Sequence, residues 1–129
     1  MNKLDKESVL GISALLVHAA NIDEIYSDHE KDLVRNFIKS YLKDEDASSM
    51  LKRAEEIEKN SNQLLSFTNI IKKNSIDIKK DIIEHLWKVI ISDNSVDQYE
   101  SNLMRRICGL IYFSDKECAE IKLKLINSK

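Results

Sequence analysis

Apolar residues recur at helical spacing along the whole chain and divide it into amphipathic segments separated by short polar stretches. The pattern predicts seven helices. The first covers about 6–21, the second begins after Ser27 and ends near 42, and the third passes through 50–57 and ends at 60–62. The fourth covers about 63–73, and the fifth is capped by 74–75. The sixth covers about 97–112, and the seventh begins after Ser114. No linker-like or low-complexity stretch interrupts them, so residues 1–129 are predicted to form one all-α domain.

Two of these helices, the first and the fifth, are apolar on nearly all sides. A helix of that kind belongs at the centre of a bundle, because no face of it favours water. Leu16, Leu86 and Ile90 are therefore predicted to lie in the core. Trp87 gives the fifth helix a large anchor, and its indole N–H needs an acceptor or access to solvent.

The chain also contains an internal repeat with an offset of 70 residues. Between the copies at about 12–38 and 82–108, six of 27 positions are identical, against about two expected by chance from ordinary composition. The identical pairs are Ile12 and Ile82, Leu16 and Leu86, Asp23 and Asp93, Glu30 and Glu100, Leu33 and Leu103, and Arg35 and Arg105. Each copy is an apolar helix, an acidic loop and an amphipathic helix. The repeat thus predicts two pseudo-symmetric αα-hairpins bridged by helices three and four.

Each acidic loop carries an aspartate and, seven residues later, a glutamate. The glutamates have a structural explanation, because Ser27 with Glu30, and Asp97 with Glu100, have the spacing of a helix capping box. Carboxylates in a first helical turn also interact favourably with the helix dipole. Capping is therefore the favoured role for Glu30 and Glu100.

Capping does not explain the aspartates, which continue the apolar stripe at the end of their helices. A carboxylate is disfavoured there, because the dipole is negative at a helix C-terminus. Asp23 and Asp93 therefore need a compensating partner. The candidates are Arg35 and Arg105, backbone N–H groups of the turning loop, or a bound cation.

The cation alternative leads to a specific ligand set. The interval of seven residues and the lack of glycine in both loops exclude an EF-hand. A hard cation bound by oxygen ligands from both loops remains open, with Asp23, Glu30, Asp93 and Glu100 as its metal ligands. Without a cation, four carboxylates brought together would repel one another.

The amino-acid composition limits the fold, the binding partners and the cellular compartment that are expected. The chain has no proline, two glycines and 6% aromatic residues, which leaves few residues suited to turns between many short strands. Twenty basic residues against 22 acidic give a net charge of -2, so no nucleic-acid or membrane partner is expected. Cys108 and Cys118 lack CxxC spacing and suit a reducing cytosol. The apolar run 9–17 is too short to span a bilayer and is flanked by Asp5 and Glu7, so we expect a core helix in a cytoplasmic protein.

Residues with enzymatic chemistry are not evident in the pattern. The chain has no Ser-His-Asp order, glycine-rich phosphate loop or nucleophile elbow, so the protein is expected not to be an enzyme, with no catalytic residues. His18, His29 and His85 lack the H-x-x-x-H spacing of a metal site and are expected to be ordinary core or surface residues.

At the paired loops the sequence resembles the TerB-like family, the tellurite-resistance protein B group, whose repeated motif is approximately Ala-Asp-Gly-x-Ile-x-x-x-Glu. The second copy matches over 92–100 and continues the resemblance through 103–107, and the first keeps Asp23, Tyr26 and Glu30. The resemblance spans about residues 8–126. It implies a seven-helix bundle, an acidic surface that binds divalent cations, and a role in stress or resistance systems. Related domains also occur at the N-terminus of a DnaJ-type co-chaperone.

The two loops differ where the family motif has glycine, since Glu24 stands there in the first copy and Asn94 in the second. Asparagine adopts a left-handed backbone more readily than glutamate does. If a cation binds, we expect the second loop to contribute more of the affinity.

These features of the sequence support two alternative functions. The leading hypothesis is a non-enzymatic, TerB-like cytoplasmic protein of a stress or tellurite-resistance system that binds a divalent cation through the acidic loops. The alternative is a helical protein-interaction adaptor, or co-chaperone-like module, that binds no metal and docks a protein partner on an exposed face. The sequence names neither the metal nor the protein partner.

Overall fold

The computed structural model describes residues 4–21, 27–43, 46–60, 64–91 and 98–127, with the side chains of 64–65 and 98–100 excepted. The described part contains seven α-helices and no strand, which confirms the all-α prediction. They are α1 (Lys6–Ala20), α2 (Asp28–Tyr41), α3 (Ala47–Asn60), α4 (Leu64–Lys72), α5 (Ile76–Ile91), α6 (Gln98–Leu110) and α7 (Asp115–Asn127). These bounds lie close to those predicted from apolar periodicity.

The helices α1 and α5 lie at the centre of the bundle, as predicted. α1 buries 11 of its 15 residues and packs against α2, α3, α4 and α5, while α5 packs against α1, α2, α4 and α7. Leu16 and Leu86 are completely buried and Ile90 is almost so. A Cβ atom added at Gly11 would overlap Cδ1 of Ile70, so the glycine makes room for this side chain of α4 against α1. None of the helices within the described ranges is long and apolar enough to cross a membrane.

The packing of the second repeat differs in detail from that of the first. α1 and α2 are in direct contact, whereas α6 makes its main contacts with α4 and α7. The pseudo-symmetric pair of hairpins is therefore not confirmed by the helix contacts and stays a prediction.

The turn between α6 and α7 reverses the chain within a few residues. The N–H of Phe113 donates to the carbonyl of Cys108 over 2.8 Å, and the N–H of Tyr112 donates to the carbonyl of Gly109 over 3.4 Å. With Tyr112 in the left-handed region at φ 59°, these bonds form a Schellman motif. The motif satisfies the last carbonyls of α6 and brings the start of α7 back alongside its end.

Candidate functional site

The four predicted metal ligands differ in how far the structure describes them. Asp23 and Asp93 lie outside the described residues, and so does the side chain of Glu100, although its backbone belongs to α6. The side chain of Glu30 is described. Within the described ranges, no three His, Cys, Asp or Glu side chains are grouped closely enough to hold a metal ion. Of the predicted ligands, Glu30 at the start of α2 is therefore the one whose side chain the structure describes.

Glu30 closes a capping box at the start of α2, as its spacing from Ser27 predicts. The backbone N–H of Ser27 donates to Oε1 of Glu30 over 2.8 Å, and the N–H of Glu30 donates to Oγ of Ser27 over 3.2 Å. Glu30 is only 6% exposed, which is unusual for a glutamate. The box thus confirms the capping role and fixes this carboxylate immediately after the first acidic loop.

Arg35 has a carboxylate partner on its own helix. Its Nη2 donates to Oδ1 of Asp32 at 2.5 Å, and this hydrogen bond holds the pKa of the exposed Asp32 carboxyl below its usual value. The predicted pairing of Arg35 with Asp23 involves a residue outside the described ranges and stays a prediction. Arg105 is exposed and lines a surface cavity near the start of α7.

A polar cluster that the sequence analysis did not predict joins α2 to α5. The hydroxyl of Tyr41 donates to Oδ2 of Asp81 over 2.6 Å, and Nδ1 of His85 donates to the backbone carbonyl of Asp81 over 2.8 Å. Phe37 packs against both the Tyr41 and His85 rings, with ring centroids 5.1 Å apart in each pair. Burial and the Asp81 carboxylate raise the pKa of Tyr41, because both disfavour a phenolate. The aromatic contacts and these bonds make the cluster a fixed part of the α2–α5 interface.

A second unpredicted cluster surrounds the two cysteines at the end of the bundle. The indole N–H of Trp87 is shared between the carbonyl oxygen of Cys118, at 3.1 Å, and its Sγ, at 3.3 Å. The Trp87 N–H was predicted to need an acceptor or access to solvent, and the structure gives it buried acceptors. Cys108 and Cys118 are both free and buried. Nζ of Lys122 lies 5.3 Å from the centre of the Trp87 ring, so a cation caps the outer side of the cluster.

The contacts in the two unpredicted clusters differ in whether the sequence could have predicted them. Asp81 and His85 are four residues apart on one helix, a spacing that places them on the same face. The partnership of Tyr41 with Asp81 spans 40 residues, and that of Trp87 with Cys118 spans 31. Only the packing of α2 and α7 against α5 creates those contacts. The Asp81–His85 pair could therefore have been predicted from the sequence, whereas the contacts between different helices could not.

Over the described ranges, the structure is all-α with seven helices, and Glu30 of the first acidic motif is held in a capping box at the start of α2. The chain belongs to the family described as tellurite resistance protein TerB, whose family model matches residues 10–123. That match covers nearly the whole chain and agrees with the resemblance carried by the paired loops. No curated protein and no solved structure matches the chain significantly.

Proposed function

We propose that this TerB-family protein is a non-enzymatic, cytoplasmic component of a stress or tellurite-resistance system. In this proposal it binds a divalent cation through Asp23, Glu30, Asp93 and Glu100. The observation that carries the proposal is the family match over residues 10–123, which includes both copies of the acidic motif. Carboxylate oxygens are the ligands that hard divalent cations such as Ca²⁺ and Mg²⁺ prefer.

The geometry of Glu30 supports this role. Because its Oε1 already accepts the Ser27 N–H, the carboxylate is held in place before any cation arrives. A fixed ligand loses less conformational freedom on binding than a mobile one, and this smaller entropic cost raises the affinity for the cation.

Calorimetric titration of the chelator-stripped protein with Ca²⁺, Mg²⁺, Mn²⁺ and Zn²⁺ tests the proposal. We expect saturable binding of at least one of these ions. Glu117→Gln is a matched control, because the Glu117 N–H bonds to Ser114 at the start of α7 but no acidic loop motif precedes it. This variant should bind as the native protein does. A native protein that binds none of the four ions would contradict the metal proposal.

Two single variants then compare the loops. Asp93→Asn should weaken binding more than Asp23→Asn, because Asn94 can adopt the left-handed backbone that brings Asp93 towards Glu100. Glu24 instead places a like charge beside Asp23. Equal losses would indicate one site shared by both loops. A larger loss at Asp23 would show that glutamate replaces the motif's glycine better than asparagine does.

The alternative function is a helical adaptor or co-chaperone-like module that docks a protein partner without metal. One observation favours it: α7 exposes two large apolar side chains, Leu123 at 57% and Ile126 at 41%. The same titration separates the two functions, since the adaptor predicts no binding heat with any of the ions. Under this alternative, Glu30 acts as a helix cap and nothing more.

A further inference from the structure

A surface cavity of about 500 Å³ lies where α6 and α7 meet, with Trp87 of α5 also in its wall. Residues spaced three and four apart share one face of a helix, and such residues from α6 and α7 line the cavity. Sites for small molecules in proteins have volumes of about 300–1,000 Å³. The cavity is therefore large enough for a small organic molecule.

Part of the cavity wall is apolar and firmly packed. Trp87, Met104 and Cys118 belong to the wall, and each is no more than 5% exposed. The Trp87 side chain is held further by its N–H, which donates to the carbonyl oxygen and the sulfur of Cys118. An apolar or aromatic group that enters the cavity is removed from water and gains contacts with residues that are already in place.

The charged part of the wall contains two cations, Arg105 on α6 and Lys122 on α7, and the carboxylate of Asp115. Nζ of Lys122 lies 5.3 Å from the centre of the Trp87 ring, which places this ammonium group beside the apolar part. Among the residues that the structure describes, Arg105 and Lys122 form no ion pair, either with Asp115 or with another carboxylate. The described wall thus has one positive charge in excess, and both of its cations can still pair with an anion.

We propose that this cavity binds a small monocarboxylate with an apolar body. The carboxylate pairs with Arg105 and Lys122, and the body packs against Trp87 and Met104. A guanidinium suits this role, because it can donate two parallel hydrogen bonds to one carboxylate. One excess positive charge matches a singly charged anion better than a phosphate dianion. The proposal does not rest on cation binding, since none of the cavity residues is one of the four predicted metal ligands.

The fluorescence of Trp87 tests the proposal directly, because this is the single tryptophan of the chain. The full-length protein, kept in chelator, is titrated with phenylacetate and hexanoate and with their neutral amides. We expect a saturable change in emission with a carboxylate. The matching amide should bind about fivefold more weakly, since a partly exposed charge pair contributes up to about 1 kcal/mol. No saturable change with either carboxylate, or equal affinity for acid and amide, would overturn the proposal.

Charge variants test which residues bind the carboxylate. Arg105→Gln and Lys122→Gln should each weaken binding by at least about threefold. Arg106→Gln is a matched control, because Arg106 is the exposed neighbour on α6 and is not part of the described cavity wall. Its affinity should equal that of the native protein. If Arg106→Gln loses as much affinity as Arg105→Gln, overall charge attracts the carboxylate and the assigned site is wrong. Circular dichroism checks that the variants fold.

Two further measurements separate the shape of the cavity from its charge. Ala119 lines the cavity and is exposed, so Ala119→Phe should fill part of the space and weaken binding while the charges stay the same. Inorganic phosphate should not displace the bound carboxylate at equal concentration, because it has no apolar body to pack against Trp87. Native affinity in Ala119→Phe, or full displacement by phosphate, would contradict the proposal. The chelator makes these results independent of whether the acidic motifs bind a cation.

Discussion

Tyr112, in the turn between α6 and α7, allows the energetic cost of a left-handed backbone conformation to be measured. Its φ of 59° places it at the C′ position of a Schellman motif, which glycine occupies most often. A side chain in this conformation costs roughly 1–2 kcal/mol, because Cβ crowds the following carbonyl oxygen. Glycine has no Cβ and avoids that cost. Replacing Tyr112 by glycine should therefore relieve strain that replacement by alanine retains.

The side chain of Tyr112 contributes little that offsets this effect. The ring is 74% exposed, and its described contact is with Lys72, whose Nζ lies 4.8 Å from the ring centre. Such an exposed cation–π pair is worth about 0.5–1 kcal/mol. Both Tyr112→Gly and Tyr112→Ala lose it, so it cancels between them. The glycine variant should then be more stable than the alanine variant by about 1 kcal/mol.

Gly109, three residues earlier, supplies a control of opposite sign. It lies inside α6, and a Cβ atom added there would meet nothing within 4 Å outside its own helix. Gly109→Ala should therefore stabilise the protein by about 0.5–1 kcal/mol through helix propensity. Urea unfolding followed by circular dichroism gives the free energy of unfolding of all three variants. If Tyr112→Ala were as stable as Tyr112→Gly, the left-handed turn would carry no measurable strain and the reasoning would fail.

Two further predictions concern the core and the α2–α5 interface. Leu86→Ala should lower the free energy of unfolding by about 2–5 kcal/mol, whereas Leu123→Ala, at an exposed position, should change it by less than about 0.5 kcal/mol. Because the pKa of Tyr41 is raised in the folded protein, its contribution to stability is complete below the ordinary tyrosine pKa of about 10 and falls as the pH rises above it. Tyr41→Phe, which cannot ionise, should show a flatter loss of stability in urea titrations above about pH 10; an unchanged slope would contradict this.

The helices and the central position of α1 and α5 could be predicted from the sequence because the information is local. Apolar spacing within each segment sets which face is buried, and Ser27 and Glu30 cap α2 through groups three residues apart. The predicted end of the sixth helix near 112 and the start of the seventh after Ser114 located the α6–α7 turn, but its left-handed residue is a tyrosine, which carries no signal for that backbone. A glycine at position 112 would have indicated a left-handed residue at the end of α6.

The long-range contacts in the cysteine and tyrosine clusters could not be predicted because the residues that make them meet only after helices pack. Cys108 and Cys118 lack any metal-site spacing, and nothing in the sequence places Trp87 above them. The choice of partners depends on which helix lies against α5, a long-range property of the fold. Of the predicted cation ligands, the sequence identified the capping role of Glu30 correctly, and its metal role stays a prediction.

Capping and cation binding by Glu30 can be separated by choosing the substitution. Glutamine can still accept the Ser27 N–H through its carbonyl oxygen, because glutamine also occurs at this position of capping boxes. Glu30→Gln should therefore keep the cap and lose less than about 1 kcal/mol of stability, the dipole contribution of the charge. Glu30→Ala loses the side-chain acceptor as well and should be less stable than the glutamine variant. Removing the charge should nevertheless weaken cation binding, so a glutamine variant with full affinity in the titration would show that Glu30 is a cap alone.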